Sequence, residues 1–352
     1  MVIKLKRNRV WRTYHGGERI DRLQGLPCSG NGHFPEEWVA SVVEACNPGR
    51  EQQGEGLSCS EDGQWLKLLI DQDPVRYLGE EQVQRYGGRM SILVKLLDAA
   101  ERLVIQAHPT VSFAKAHFHS DFGKTESWYI VEADEGAHVY LGFRPGITRS
   151  KWEESFWSQD ISGMLELMHK LPVRPGDMIF VDGGVPHAIG GGCLLVELQE
   201  PTDLMVVPER VTPSGTVLPE SRLHGGLGFE RMFDCFDYTG CTRQELQDRY
   251  CIRPKQGTAA GRTILLDREV TDKFRMEELR IEQTCQTDYS GMYAVAIVLE
   301  GRGELEVKGE LEVMGGQCLP VRRGDSLFIG ADAGPLVWRC HGEALRVVIC
   351  LP

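Results

Sequence analysis

The stretch VRPGDMIFVDGGVPH, residues 173–187, followed by AIGGGCLLVELQE to Glu200, decides the fold. Arg174-Pro175-Gly176-Asp177 is a turn that feeds a four-residue apolar strand, MIFV. Gly183-Gly184-Val185-Pro186 is a second turn, and CLLVELQE reads as a further strand. The same pattern returns as VRRGDSLFIGADAGP at 321–335. Upstream of each copy lies another shared landmark, VEADEGAHVY from Val131 and VLEGRGELEV from Val298. Two landmarks in the same order imply a duplicated unit of short antiparallel strands, the pattern of a small barrel made twice.

Around these landmarks, ESWYIVEA and AHVYLGF form two strands joined by the turn Asp134-Glu135-Gly136. The first copy is longer by one helix. Ser150 with Glu153 makes a capping box, and Phe156, Ile161, Leu165 and Met168 keep helical spacing until Pro172, predicting a helix over 150–171. Residues 63–90 read as two short helices split at Asp73-Pro74. Trp38–Val43 and Ile92–His108 are strand-like, and 208–262 reads as a connection with one helical stretch near 243–250. No apolar run approaches the length of a membrane helix, and the first residues lack a signal-peptide core.

The chain has 352 residues, 41% hydrophobic and 26% charged, enough to bury about two domains. Lys and Arg number 39 against 51 Asp and Glu, a net charge of −12 that argues against nucleic-acid or anionic-membrane partners. The 11 cysteines are odd in number and lack a CxxC pair, so they read as buried thiols of a reducing, cytoplasmic compartment.

Gln106 and His108 are two apart on an extended segment, so their side chains leave the same face. Glu126 opens the next strand, and His187 opens another after the Gly-Gly-Val-Pro turn. Two imidazoles, a carboxylate and an amide oxygen can hold a divalent metal with a position left open. A single histidine is ordinarily just a satisfied core or surface residue. The repeat changes that balance, because aligning the copies sets Glu126 opposite Tyr293 and His187 opposite Pro335. The second copy keeps the frame without the ligand-type residues, so the frame does not demand them. His117 and His119 read as solvated, and His15, His33, His138, His169, His224 and His341 stand alone.

ILVKLLDAAERLVIQAHPT (92–110), GKTESWYIVEA (123–133) and RPGDMIFVDGGVPHAIGGGCLLVELQEPTD (174–203) together resemble the type I phosphomannose isomerases. The resemblance runs from about Trp38 to Asp203 and resumes more weakly from about Ile281. It implies a mostly β fold of two cupin-like (jelly-roll) barrels with a few inserted helices. A catalytic domain would span 1–235, with helical insertions near 63–90 and 150–171, and a cupin-like domain without metal would span 236–352. It implies a cytoplasmic enzyme with one zinc ion (Zn2+) per chain, interconverting mannose 6-phosphate and fructose 6-phosphate. The ligands carry over to Gln106, His108, Glu126 and His187, and Lys124 and Glu197 match an active-site lysine and glutamate.

Three positions depart from the family. Its active-site arginine falls at Val207; either Arg210 takes its place through an insertion around Pro208-Glu209, or the arginine is gone. The usual QVHPDD is QAHPT, and Val104 stands where a serine contributes to phosphate binding. An isomerisation through an enediol needs a base, oxyanion stabilisation and a grip on the open chain. Lys124 could donate to an oxyanion or phosphate oxygen, Glu197 could act as base or ring-opening acid, and Arg210 could contact phosphate or oxyanion. Lys95, an amine inside ILVKLL, is a substrate-binding candidate. Three other readings stand beside this one: a non-catalytic sugar-binding cupin, an isomerase of another sugar, and a metal-dependent oxygenase.

Overall fold

The computed structural model describes residues 1–47, 49–50, 53–308 and 318–352. The described residues are mostly β, in four antiparallel sheets. The first large sheet runs Cys251–Ile252, Met178–Val181, Glu126–Ala133, Cys193–Gln199, Leu93–Ala99, Glu36–Val39, Arg9–Val10. The second runs Val2–Lys4, Ser326–Ile329, Ala294–Glu300, Leu345–Leu351, Arg275–Ile281, Arg262–Leu266, Lys255–Gln256. The strand after the Asp177 turn and the strand after the Asp325 turn hold the same place in their sheets, so the repeat carries through to topology. A three-stranded sheet (Met168–Pro172, His138–Phe143, His187–Ile189) accompanies the first, and a four-stranded sheet built on Arg302–Val307 accompanies the second.

The two halves are interlocked in a way no local pattern foretells. Val2–Lys4 pairs with Ser326–Ile329 in the second large sheet, and Cys251–Ile252 pairs with Met178–Val181 in the first. Side-chain alternation explains the rest of the packing. Along Ala294–Glu300, Val295, Ile297 and Leu299 join the core shared with the first half, whereas Ala294, Ala296 and Val298 pack with Leu305 and Trp338 inside the second. Both faces being covered, these strands read as unbroken apolar runs. Polar contacts cross the same seam, with Tyr129 Oη donating to Glu278 at 2.7 Å and the Ser91 amide donating to Tyr293 Oη at 3.0 Å.

Several local expectations change. Residues 63–90 hold three helices, Leu66–Gln72, Pro74–Leu78 and Glu80–Tyr86. The added break is Gly79, at φ 95°, where a Cβ would lie 2.0 Å from the Gly291 carbonyl oxygen of the other half. The helix expected over 150–171 is two helices and a strand: Arg149–Ser158, Ile161–Glu166 and Met168–Pro172. Thr148, not Ser150, accepts the capping hydrogen bond. Gln159 turns left-handed at φ 52°, and Asp160 caps a new helix, so the apolar spacing bridges a break. Leu93–Ala99 ends well short of His108, and Gln106 and Ala107 rejoin the fold through single bridges to His187 and Val206. His117 closes a helix, Val111–His117. Cys28, Cys46 and Cys318 are exposed, contrary to the expectation of buried thiols. Among the described residues no helix is long and apolar enough to cross a membrane.

Candidate metal centre and active-site cleft

The cleft is floored by one face of the first large sheet. Register sets Trp38 opposite Lys95, Lys95 opposite Glu197, and Glu197 opposite Trp128, a row across four strands. Glu36 lies two residues before Trp38, and Glu126 two before Trp128, so both share that face. The small sheet contributes His187, to which Gln106 is bridged. Gln106 and His187 exchange both main-chain hydrogen bonds at 2.9 Å, placing their side chains as neighbours. His108, two residues on, hangs beside them with its carbonyl held by the Gly184 amide at 2.6 Å.

His108, Glu126 and His187 converge, with one ligand atom from each within 4.8 Å of the others. All three are fully buried. Each imidazole donates its Nδ1–H to a main-chain carbonyl, His108 to Leu204 at 2.8 Å and His187 to Val185 at 2.9 Å. That turns both Nε2 atoms toward the cluster. They face opposite oxygens of Glu126 at 3.1 Å. Among the described residues, Glu126 Oε1 and His187 Nε2 have no hydrogen-bond partner. Buried acceptors converging in this way are the donor set of a cation site, so the residues fit a divalent metal. Burial and the neighbouring Lys124 push the His108 pKa down to about 3, which keeps its lone pair available. Burial would raise the Glu126 carboxyl, but Lys124 and the two imidazoles hold it well below the usual range. Lys124 Nζ lies 2.9 Å from Glu126 and 2.7 Å from His108 Nε2, so its ammonium borders this cluster directly.

Lys124 and Gln106 also line a cleft, together with Arg12, Tyr14, Glu36, Lys95, Glu197, Asp203 and Arg222. Its charges are closely paired. Arg12 binds Asp203 through both Nη atoms, at 3.0 and 3.1 Å, and Glu36 through Nε at 3.0 Å. Glu36 further accepts from Tyr14 Oη at 2.8 Å and Trp38 Nε1 at 2.7 Å. Burial would raise Glu36, but Arg12, Lys95 and the Trp38 hydrogen bond hold it down at about 2. Lys95 donates to Glu197 at 3.0 Å and lies over the Trp38 ring. Burial raises the Glu197 carboxyl, with Lys95 opposing and Glu126 adding to the rise. Lys95 is therefore the partner that orients Glu197.

Arg210 is not among the residues lining the cleft. The buried Glu209 carboxylate turns inward to Arg102 at 2.9 Å and to the Ile105 amide, which directs the next side chain outward. The Arg210 guanidinium sits among Phe156, Trp157 and Phe229 and reaches Glu220 at 3.4 Å. Val207 and Val104 do line the cleft.

Sequence reasoning missed Arg12, Tyr14, Glu36 and Arg222, and assigned nothing to Asp203. Glu36 carried a usable signal, a charge set in a strand beside Trp38, the same signal that marked Lys95. Arg12 and Arg222 lie in turn-rich segments with no local mark.

Residues 52–136 match the family described as phosphomannose isomerase type I, catalytic domain. The chain is 38% identical over 112 residues to the probable mannose-6-phosphate isomerase GmuF of Bacillus subtilis, and 33% identical over 202 residues to a mannose-6-phosphate isomerase of Streptococcus mutans. These alignments take in 32% and 55% of this chain, and span 34% and 55% of the two relatives' lengths. The fold matches the crystal structure of a mannose 6-phosphate isomerase from Bacillus subtilis with a TM-score of 0.76 at 20% identity, over 99% of each chain.

Proposed function

We propose that this chain, a relative of the type I phosphomannose isomerases by sequence and by fold, is a metal-dependent aldose–ketose isomerase that interconverts mannose 6-phosphate and fructose 6-phosphate. The observation that carries the reading is the convergence of two imidazole nitrogens on the buried Glu126 carboxylate at the edge of a cleft lined with charged side chains. Gln106, His108, Glu126 and His187 would hold one zinc ion per chain, which when bound supplies Lewis-acid polarisation of sugar oxygens. We read each large sheet with its smaller companion as one cupin-like barrel, divided in sequence near residue 236, with the metal in the first.

The chain's own residues would do the rest. Glu197, raised by burial and oriented by Lys95, is suited to take the proton from one sugar carbon and return it to its neighbour. Lys124 would donate to the oxygen that gains negative charge as the enediol forms. The Glu36–Arg12–Asp203 network holds the floor rigid beneath them. Val207 and Val104 in the wall favour one further reading, an isomerase of a different hexose phosphate.

The test is turnover of the zinc-loaded protein on a panel of hexose phosphates and free hexoses. Mannose 6-phosphate should be the best substrate, and absence of turnover on every phosphorylated hexose refutes the reading. His187→Ala should retain less than about a tenth of the wild-type zinc by elemental analysis, since it removes a fully buried ligand from a site with few donors. Unchanged zinc in that variant refutes the ligand set.

A further inference from the structure

Four cations line the cleft, and three are committed. Arg12 is bound to Asp203 and Glu36 at 3.0 Å, Lys95 to Glu197 at 3.0 Å, and Lys124 to Glu126 at 2.9 Å. Arg222 differs. Among the described residues no carboxylate oxygen comes within 4.0 Å of its guanidinium, and its side chain makes no hydrogen bond. Its closest electrostatic counterpart is Asp203, whose oxygens already serve Arg12 and, at 2.8 Å, the Cys46 amide. Burial with so little compensation draws the Arg222 pKa down from its usual value.

The backbone holds this arginine against the cleft wall. Arg222 lies on the short helix Glu220–Leu223, and the Leu223 carbonyl accepts from the Val207 amide at 2.7 Å. The hairpin bridged between Val211 and Val217 leads into that helix, and its Thr212, Pro213 and Leu218 line the same wall. Arg222 is half-buried at the cleft wall without an ionic partner, and the group that would meet its planar fork there is an oxyanion.

We propose that Arg222 is the residue that binds the phosphate of the substrate, a phosphate monoester entering the cleft from the Val207 wall. This rests on the isomerase reading above and assigns the grip on the phosphate to a residue outside the resemblance. Loss of one charge-assisted fork is worth about ten- to a hundredfold in affinity.

The experiment compares zinc-loaded wild type, Arg222→Ala and Arg222→Lys by mannose 6-phosphate kinetics and by calorimetric titration with inorganic phosphate. Arg222→Ala should raise KM about ten- to a hundredfold with a much smaller change in kcat, and weaken phosphate binding by a similar factor. Arg222→Lys should restore part of both. If Arg222 only offsets the charge of Asp203, the thermal midpoint will fall while KM and phosphate affinity stay put, and the proposal is overturned. If wild type turns over no phosphorylated hexose, the isomerase reading fails separately, and the phosphate titration alone decides. Equal affinity in wild type and Arg222→Ala, or no binding to either, then overturns the assignment.

Discussion

Replacing Lys95 with methionine keeps the length of the side chain and removes its ammonium. Lys95 and Glu197 face each other across the first large sheet, 3.0 Å apart, with both side chains 4% exposed. Glu36 stands at 3.9 Å but has Arg12 as its main partner, so Glu197 is the group left alone. Removing one partner of such a pair strands a buried charge at a cost of about 3–5 kcal/mol, whereas removing both is often close to neutral. Lys95→Met should therefore lose about 3–5 kcal/mol in urea denaturation at pH 8, and Lys95→Met/Glu197→Gln should recover most of it. The loss should also depend on pH. Burial already lifts the Glu197 carboxyl above the ordinary carboxylate range, and losing Lys95 lifts it further. A carboxyl whose folded pKa lies above its unfolded one binds more protons when folded, so its stability contribution is lost as pH rises through the folded value. The variant's deficit should thus be small near pH 4.5 and grow toward pH 8. A single variant losing less than about 1 kcal/mol, or a double variant losing the sum of both singles, would refute the buried-pair argument.

Arg210→Ala should cost about 0.5–2 kcal/mol of stability by removing its stacking on three aromatic rings. Its zinc content should be unchanged and its kcat/KM should stay within about tenfold of wild type; a drop of a thousandfold would place the arginine in the chemistry after all. Glu37 is buried with Oε2 unpartnered, and burial raises its carboxyl to about 7. Its folded pKa exceeds the unfolded one, so stability should fall by about 3 kcal/mol as pH climbs from 4.5 through 7. Glu37→Gln should flatten that decline in denaturation at pH 5 and 8, and an identical slope in the variant would show that another group titrates.

The features legible in the sequence are those whose signal is local. A Gly-Asp turn followed by a short apolar run reads as the start of a strand wherever it sits, and its recurrence at 321–335 marks a repeated pattern. The same locality put Glu126 and His187 at strand starts and flagged Lys95 as a charge out of place. Local spacing misled where a break lay inside a continuous apolar pattern, as at Gln159, because a single left-handed residue leaves no mark in hydrophobic periodicity.

What only the tertiary structure decided is where the charges go. Arg12 and Arg222 come from turn-rich segments indistinguishable from solvated loops until long-range packing brings them against Asp203 and the Val207 wall. Arg210 shows the converse, since its neighbour Glu209 is pinned inward by Arg102, more than a hundred residues away in sequence, and so turns it out of the cleft. The pairing of Val2–Lys4 with Ser326–Ile329 is of the same kind. Strand propensity and turn chemistry are written in neighbouring residues, whereas the partner of a buried charge or of a sheet edge is chosen by whatever the completed fold leaves unsatisfied.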